Sequence, residues 1–257
     1  MRIADRMKSI PFSGIRGVFE EVARREKMGE KIIHLNIGEP DFDTPKHIRD
    51  AAKRALDEGK THYSSNYGIP ELREALAQKL SQENGLSYDP ATEIIVTVGG
   101  NEAVLITMMG LLNPGDEVLI PDPCWLHYFY CVQMAGAVPI SVPVQEEYEF
   151  VPHIDDFRSR LTPKTRMIII NTPNNPTGAV YTAEALEELA HLAQEKDLFV
   201  LSDEIYEKMV YDGTRHVSIG SFPRMKERVI TANGFSKRYS MTGWRLGYVA
   251  ADREVIS

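Results

Sequence analysis

From residue 93 onward, apolar and polar positions along this chain alternate between two rhythms. Seven short, β-rich apolar segments stand at 93–98, 117–121, 137–142, 166–171, 198–202, 228–233 and 245–250. Several are apolar throughout, as strands covered on both faces are. Stretches with helical spacing separate them, clearest at 101–112 and 182–196. The alternation predicts an α/β fold: a mainly parallel, seven-stranded sheet between two layers of helices. In such sheets ligands sit beyond the carboxyl ends of the strands, so the segments that follow each apolar run are where chemistry is expected.

The first ninety residues read differently. A helical stretch lies near 17–29, a short apolar run follows at 32–38, and 38–45 is dense in turn formers. Thr44 and Pro45 read as the cap and first position of a helix running through Leu56. A second helix is expected from Ile69 and Pro70 to about Gln82. No internal repeat or low-complexity tract interrupts the chain.

Composition narrows the class. A net charge of −8 on 257 residues argues against a protein that coats nucleic acid. Cys124 and Cys131 are seven apart, which fits neither a zinc pair nor a redox pair, and two cysteines predict no disulfide framework. The first ten residues lack the apolar core of a signal peptide, and no apolar run has the length of a membrane span. The expectation is a cytoplasmic protein without a membrane partner.

The strand-end segments carry the candidate chemistry. Gly99, Gly100 and Asn101 lead from the first strand into a helix, which reads either as a phosphate cradle or as a plain tight turn. The dinucleotide fingerprint G-x-G-x-x-G is absent. Trp125, with Tyr128 close behind, follows the second strand and reads equally as a ring stacker or a core aromatic. After the fourth, two prolines and a glycine hold Asn174 and Asn175 in a rigid turn. After the fifth come Asp203 and, three residues on, Tyr206; a carboxylate there is costly unless a cation meets it. An apolar run ending in Asp-Glu also imitates part of a P-loop ATPase. The one G-K-T, at 59–61, has Arg54 where the earlier glycine belongs, and it follows a helix. After the sixth strand, Lys237 stands among small residues, Ser236 beside it, as a partly desolvated amine requires. Arg245, eight residues on, offers a planar fork suited to phosphate.

Taken in this order, the segments resemble the pyridoxal-phosphate-dependent aminotransferases of fold type I, the class I/II, aspartate-aminotransferase-like family. The lysine segment 234–247, Asn175-Pro176-x-Gly178, Asp203-x-x-Tyr206, and the earlier stretches 38–45 and 62–76 all match. The resemblance implies pyridoxal 5'-phosphate as cofactor, Lys237 as its Schiff-base lysine and proton shuttle, and Asp203 against the pyridine nitrogen. It implies Tyr206 and Asn175 on the ring's phenolic oxygen and Trp125 over the ring. Arg245, with backbone around Gly99, Gly100 and Asn101, would bind the phosphate. Tyr63 matches a phosphate-binding tyrosine reached from the partner subunit of a homodimer, and Gly38 and Asn175 match substrate-binding positions. Some relatives carry a phosphate-binding serine three before the lysine; here that position is Gly234, and Ser236 is the candidate substitute.

The expected organisation is an N-terminal arm with part of a small domain over 1–45 and a large cofactor-binding domain over 46–257. Members of the family continue past the position of Ser257 into a segment carrying an arginine that clamps the substrate carboxylate, and no arginine here matches it. The implied activity is transamination between an L-amino acid and a 2-oxo acid such as 2-oxoglutarate. A carbon–sulfur β-lyase sharing the same cofactor residues, and an inactive fragment, are the alternatives. A cofactor-sensing transcription regulator would require a basic helix-turn-helix, which the N-terminus does not offer.

Overall fold

All seven apolar runs become strands: β1 (Ile94–Thr97), β2 (Glu117–Asp122), β3 (Val138–Pro143), β4 (Thr165–Asn171), β5 (Phe199–Asp203), β6 (Val229–Gly234) and β7 (Gly247–Ala250). The structure, a computed structural model, describes residues 2–8, 10, 14–35 and 38–257. Asn36 and Ile37, within the apolar run expected at 32–38, lie outside the described residues. The strands form one sheet in the order β1-β7-β6-β5-β4-β2-β3. Neighbouring pairs from β3 across to β6 are parallel, while β7 is antiparallel to both β6 and β1. Every strand except β7 therefore runs in one direction.

The helices are α1 (Gly14–Lys27), α2 (Lys46–Asp57), α3 (Pro70–Lys79), α4 (Gly99–Leu111), α5 (His127–Met134), α6 (Ile154–Arg158), α7 (Ala183–Glu195) and α8 (Arg253–Ile256). Strand alternation sends apolar side chains to both faces of the sheet. Val118, Ile120, Met167 and Ile169 pack with Ala103, Met108, Tyr128 and Val132 of α4 and α5 on one face. Leu119, Ile168, Ile170 and Val200 pack on the other face, with Phe157 of α6 and Leu186, Leu189 and Ala193 of α7. The three expected layers are present. At the β1 edge, Leu76 and Leu80 close a third cluster over Ile94 and Tyr248. Helix α7 begins where Thr182 Oγ1 accepts from the Ala185 amide at 3.2 Å, a cap worth about 1 kcal/mol.

Three expected boundaries change. Thr44 does not cap α2: its hydroxyl donates to the Ser240 carbonyl and accepts from Trp244 Nε1 at 3.1 Å, and Pro45 occupies the cap position. A tertiary partner has taken the side chain that a local cap would have used. Helix α3 ends at Lys79, and the chain continues as one π-helical turn, Leu80–Asn84, closed by left-handed Gly85. The last strand starts at Gly247, not Arg245, because a 3-10 turn (Thr242–Trp244) delivers Arg245 in a left-handed conformation, φ 55°.

Candidate active site

The ends of five strands meet at a cavity of about 900 Å³. Its floor is Asp203, the last residue of β5, buried. Tyr128 Oη donates to Asp203 Oδ2 at 2.7 Å, and the Ile205 amide donates to Oδ1 at 3.1 Å. No lysine, arginine or histidine among the described residues forms an ion pair with this carboxylate. Burial therefore dominates and pushes the carboxyl up to about 6, against the two bonds that favour its charge. The chain turns at once after β5, and this brings Tyr206 to the same cavity.

Tyr206 is tied to the next strand end. Asn175 Nδ2 donates to Tyr206 Oη at 3.2 Å, and the Asn175 amide donates to Asn171 Oδ1 at 2.8 Å. Asn171 is the last residue of β4, and its own Nδ2 donates to the Asp203 carbonyl at 2.9 Å. The two strand ends are thus stitched together by side chains. Burial raises the Tyr206 phenol above its ordinary range, the Asp203 charge adds to the rise, and the Asn175 amide opposes it.

Lys237 projects from the turn after β6, half-buried, with Nζ 5.6 Å from the centre of the Tyr206 ring. Nζ donates to the carbonyl of Gly38, which brings the N-terminal segment over the cavity. Burial lowers this ammonium below the ordinary lysine range, nearby Arg245 lowers it further, and Glu39 works the other way.

Arg245 lines the same cavity, its Nη1 donating to the Thr242 carbonyl at 2.8 Å. Its guanidinium lies directly over Gly99: a Cβ there would stand 2.5 Å from Arg245 Nη2. Gly247 is equally crowded, since a Cβ on it would meet the Gly99 carbonyl carbon at 2.6 Å. Both positions thus keep the guanidinium against the first turn of α4, whose leading amides have no acceptor within the helix. Gly100 and Asn101 line the cavity from that turn. Guanidinium plus helix start is a donor set for a dianionic phosphate. Trp125 forms a wall, edge-on to Tyr128 with ring centres 5.3 Å apart.

Of the residues singled out in the sequence, Gly38, Gly100, Asn101, Trp125, Asn175, Asp203, Tyr206, Ser236, Lys237 and Arg245 all line this one cavity. Gly99 abuts Arg245 from beneath. Tyr63 does not join them; it is fully exposed and lies with Thr61 and His62 at a separate surface depression. Two working residues escape sequence reasoning. By sequence Tyr128 reads as a stacker or a core aromatic, yet its hydroxyl donates to Asp203. Asn171 gave a usable signal, being a polar residue closing an otherwise apolar buried strand.

Residues 30–257 match the family described as aminotransferase class I and II. The chain is 51% identical over 256 residues to an aromatic-amino-acid aminotransferase 2 of Thermococcus litoralis, covering 100% of this chain and 65% of that protein. It is 49% identical to an aspartate aminotransferase of Pyrococcus abyssi, with the same coverage. Among solved structures, the Thermus thermophilus aspartate aminotransferase with maleate superposes with a TM-score of 0.95 at 46% identity, over 100% of this chain and 66% of that one. An aromatic aminotransferase from Pyrococcus horikoshii superposes with a TM-score of 0.87 at 51% identity, over 91% and 63%. The chain spans about 65% of the length of the curated relatives it matches.

Proposed function

The chain belongs to the class I and II aminotransferases, and from that membership we propose that it binds pyridoxal 5'-phosphate at Lys237. In this reading it serves transamination between an L-amino acid and a 2-oxo acid such as 2-oxoglutarate. One observation carries the proposal. A buried carboxylate without a cationic partner, Asp203, shares a cavity with a half-buried amine and a guanidinium set on a helix start. A ligand that joins a protonated ring nitrogen, an aldehyde and a phosphate answers all three.

When bound, the cofactor supplies an electron-withdrawing ring that draws charge from the substrate's α-carbon. Asp203 would hold the proton on the ring nitrogen, itself held by Tyr128. Tyr206 and Asn175, hydrogen-bonded to each other, would serve the ring's phenolic oxygen. Arg245, the leading amides of α4 and Ser236 would hold the phosphate, and Trp125, from the cavity wall, would pack on the ring. Lys237 would hold the aldehyde end and move the α-carbon proton; its lowered proton affinity suits that duty. Gly38 places backbone beside Nζ, where substrate would lie. The full exposure of Tyr63 supports a role across a subunit boundary, reaching the phosphate in a partner's site of a homodimer. Among the described residues no helix is long and apolar enough to cross a membrane.

The test is covalent trapping. The chain is incubated with pyridoxal phosphate, reduced with borohydride, digested and mapped by mass spectrometry. The label is expected on Lys237 and absent from Lys237→Ala. Label scattered over exposed lysines, with Lys237 unmodified, would sink the reading.

A further inference from the structure

Behind the cavity, three of the residues assigned to the cofactor share a local pattern. Asp203, Tyr206 and Lys237 are each followed by a charged residue that faces away: Glu204, Glu207 and Arg238. All three of these meet the single π-helical turn Leu80–Asn84 that ends α3. Asn84 Nδ2 lies 3.1 Å from Glu204 Oε2 and 2.9 Å from Glu207 Oε2. Glu83 receives the Arg238 guanidinium through both oxygens, at 2.5 and 2.8 Å.

Supporting bonds complete the cluster. Ser202 and Ser218 donate to Glu204 at 2.9 and 2.7 Å, and His216 Nε2 lies 3.0 Å from it. Lys79 meets Glu207 at 2.5 Å and Asn84 Oδ1 at 2.8 Å. Burial works against the charge on Glu204, yet His216, Ser218 and Ser202 hold its carboxyl below the ordinary range. Glu204, Glu207 and His216 lie close enough together to suggest a metal site. Their oxygens, however, already accept from an amide, a hydroxyl and an ammonium, which knits the group by hydrogen bonds instead. Two buried carboxylates persist only where such partners surround them, and here those partners converge on one turn.

We propose that Glu83 and Asn84 are positioning residues of the cofactor site: the turn they share holds Asp203, Tyr206 and Lys237 from behind and fixes their mutual spacing. The proposal rests on the reading of the cavity as a pyridoxal phosphate site. Neither residue lines the cavity, so their action passes through Glu204, Glu207 and Arg238.

The test uses Glu83→Ala, at a partly exposed position, together with Asn84→Ala and the milder Asn84→Ser. With pyridoxal phosphate loaded, the pH midpoint of the bound cofactor's absorption band reports the proton affinity at Lys237. Without cofactor, a 13C-carboxyl titration reports Asp203. Glu83→Ala is expected to move the first midpoint, and the Asn84 variants the second, by about half a pH unit or more. Thr182→Ala, which removes the cap of α7, serves as the control; it lowers stability but leaves both midpoints in place. Midpoints unchanged in the Glu83 and Asn84 variants would overturn the proposal. A wild-type chain that takes up no cofactor at Lys237 refutes the functional reading instead, and the Asp203 titration then decides the positioning claim alone.

Discussion

Tyr128 Oη and Asp203 Oδ2 stand 2.7 Å apart, both buried, one on α5 and the other at the end of β5. The hydroxyl favours the ionised carboxylate, so it works against the burial that raises Asp203. Tyr128→Phe removes that donor. The Asp203 midpoint is expected to climb above about 6, read by 13C titration of labelled aspartate. A buried acceptor losing its donor also costs about 1–3 kcal/mol, seen in urea unfolding.

The same carboxyl sets a pH dependence for the cofactor-free chain. Its folded value of about 6 lies above the ordinary 3.8. Between those values the folded chain keeps a proton that the unfolded chain releases. This contribution is complete below about 3.8 and is lost as pH rises through about 6. Two units correspond to about 3 kcal/mol. Asp203→Asn is expected to flatten that part of the stability profile; an unchanged slope between pH 4 and 7 contradicts the assignment.

Arg245 carries the phosphate prediction. Arg245→Gln leaves the helix amides but removes the charged fork, and retention of pyridoxal phosphate is expected to weaken roughly tenfold to a hundredfold. Trapping at Lys237 should persist at saturating cofactor. Arg245→Lys should fall between, because a point charge replaces a planar pair of donors. Equilibrium dialysis against free cofactor checks both.

Gly247→Ala tests the close approach beneath that fork. The added Cβ meets Gly99 backbone at 2.6 Å, and backbone cannot swing aside as a flexible side chain can. A loss of about 1–3 kcal/mol is expected, measured as a lowered Tm, with weaker cofactor retention because Arg245 shifts with the α4 start.

The sheet was legible because buried strands leave apolar runs that nothing in the loops imitates, and the rule of strand ends then pointed to Asp203, Asn175 and Lys237. The family resemblance supplied roles that the runs alone could not. What stayed hidden depends on contacts between segments distant in sequence. The bond between Tyr128 and Asp203 spans 75 residues, and that between Asn84 and Glu204 spans 120. Thr44 departs from its sequence reading for the same reason: its capping chemistry is real, but Ser240 and Trp244 compete for it from the far end of the chain. The direction of β7 was equally invisible, since an apolar run carries no sign of its orientation.

That direction has a geometric result. Gly234 closes β6 and Gly247 opens β7, and the two are register partners at one rim. In a wholly unidirectional sheet, a connection leaves from this rim and must cross a layer to the opposite end before the next strand starts. Here the excursion of twelve residues between them departs and lands on the same side. Its outgoing limb can therefore present an amine and its returning limb a guanidinium to one guest, with no crossover helix between the two strands.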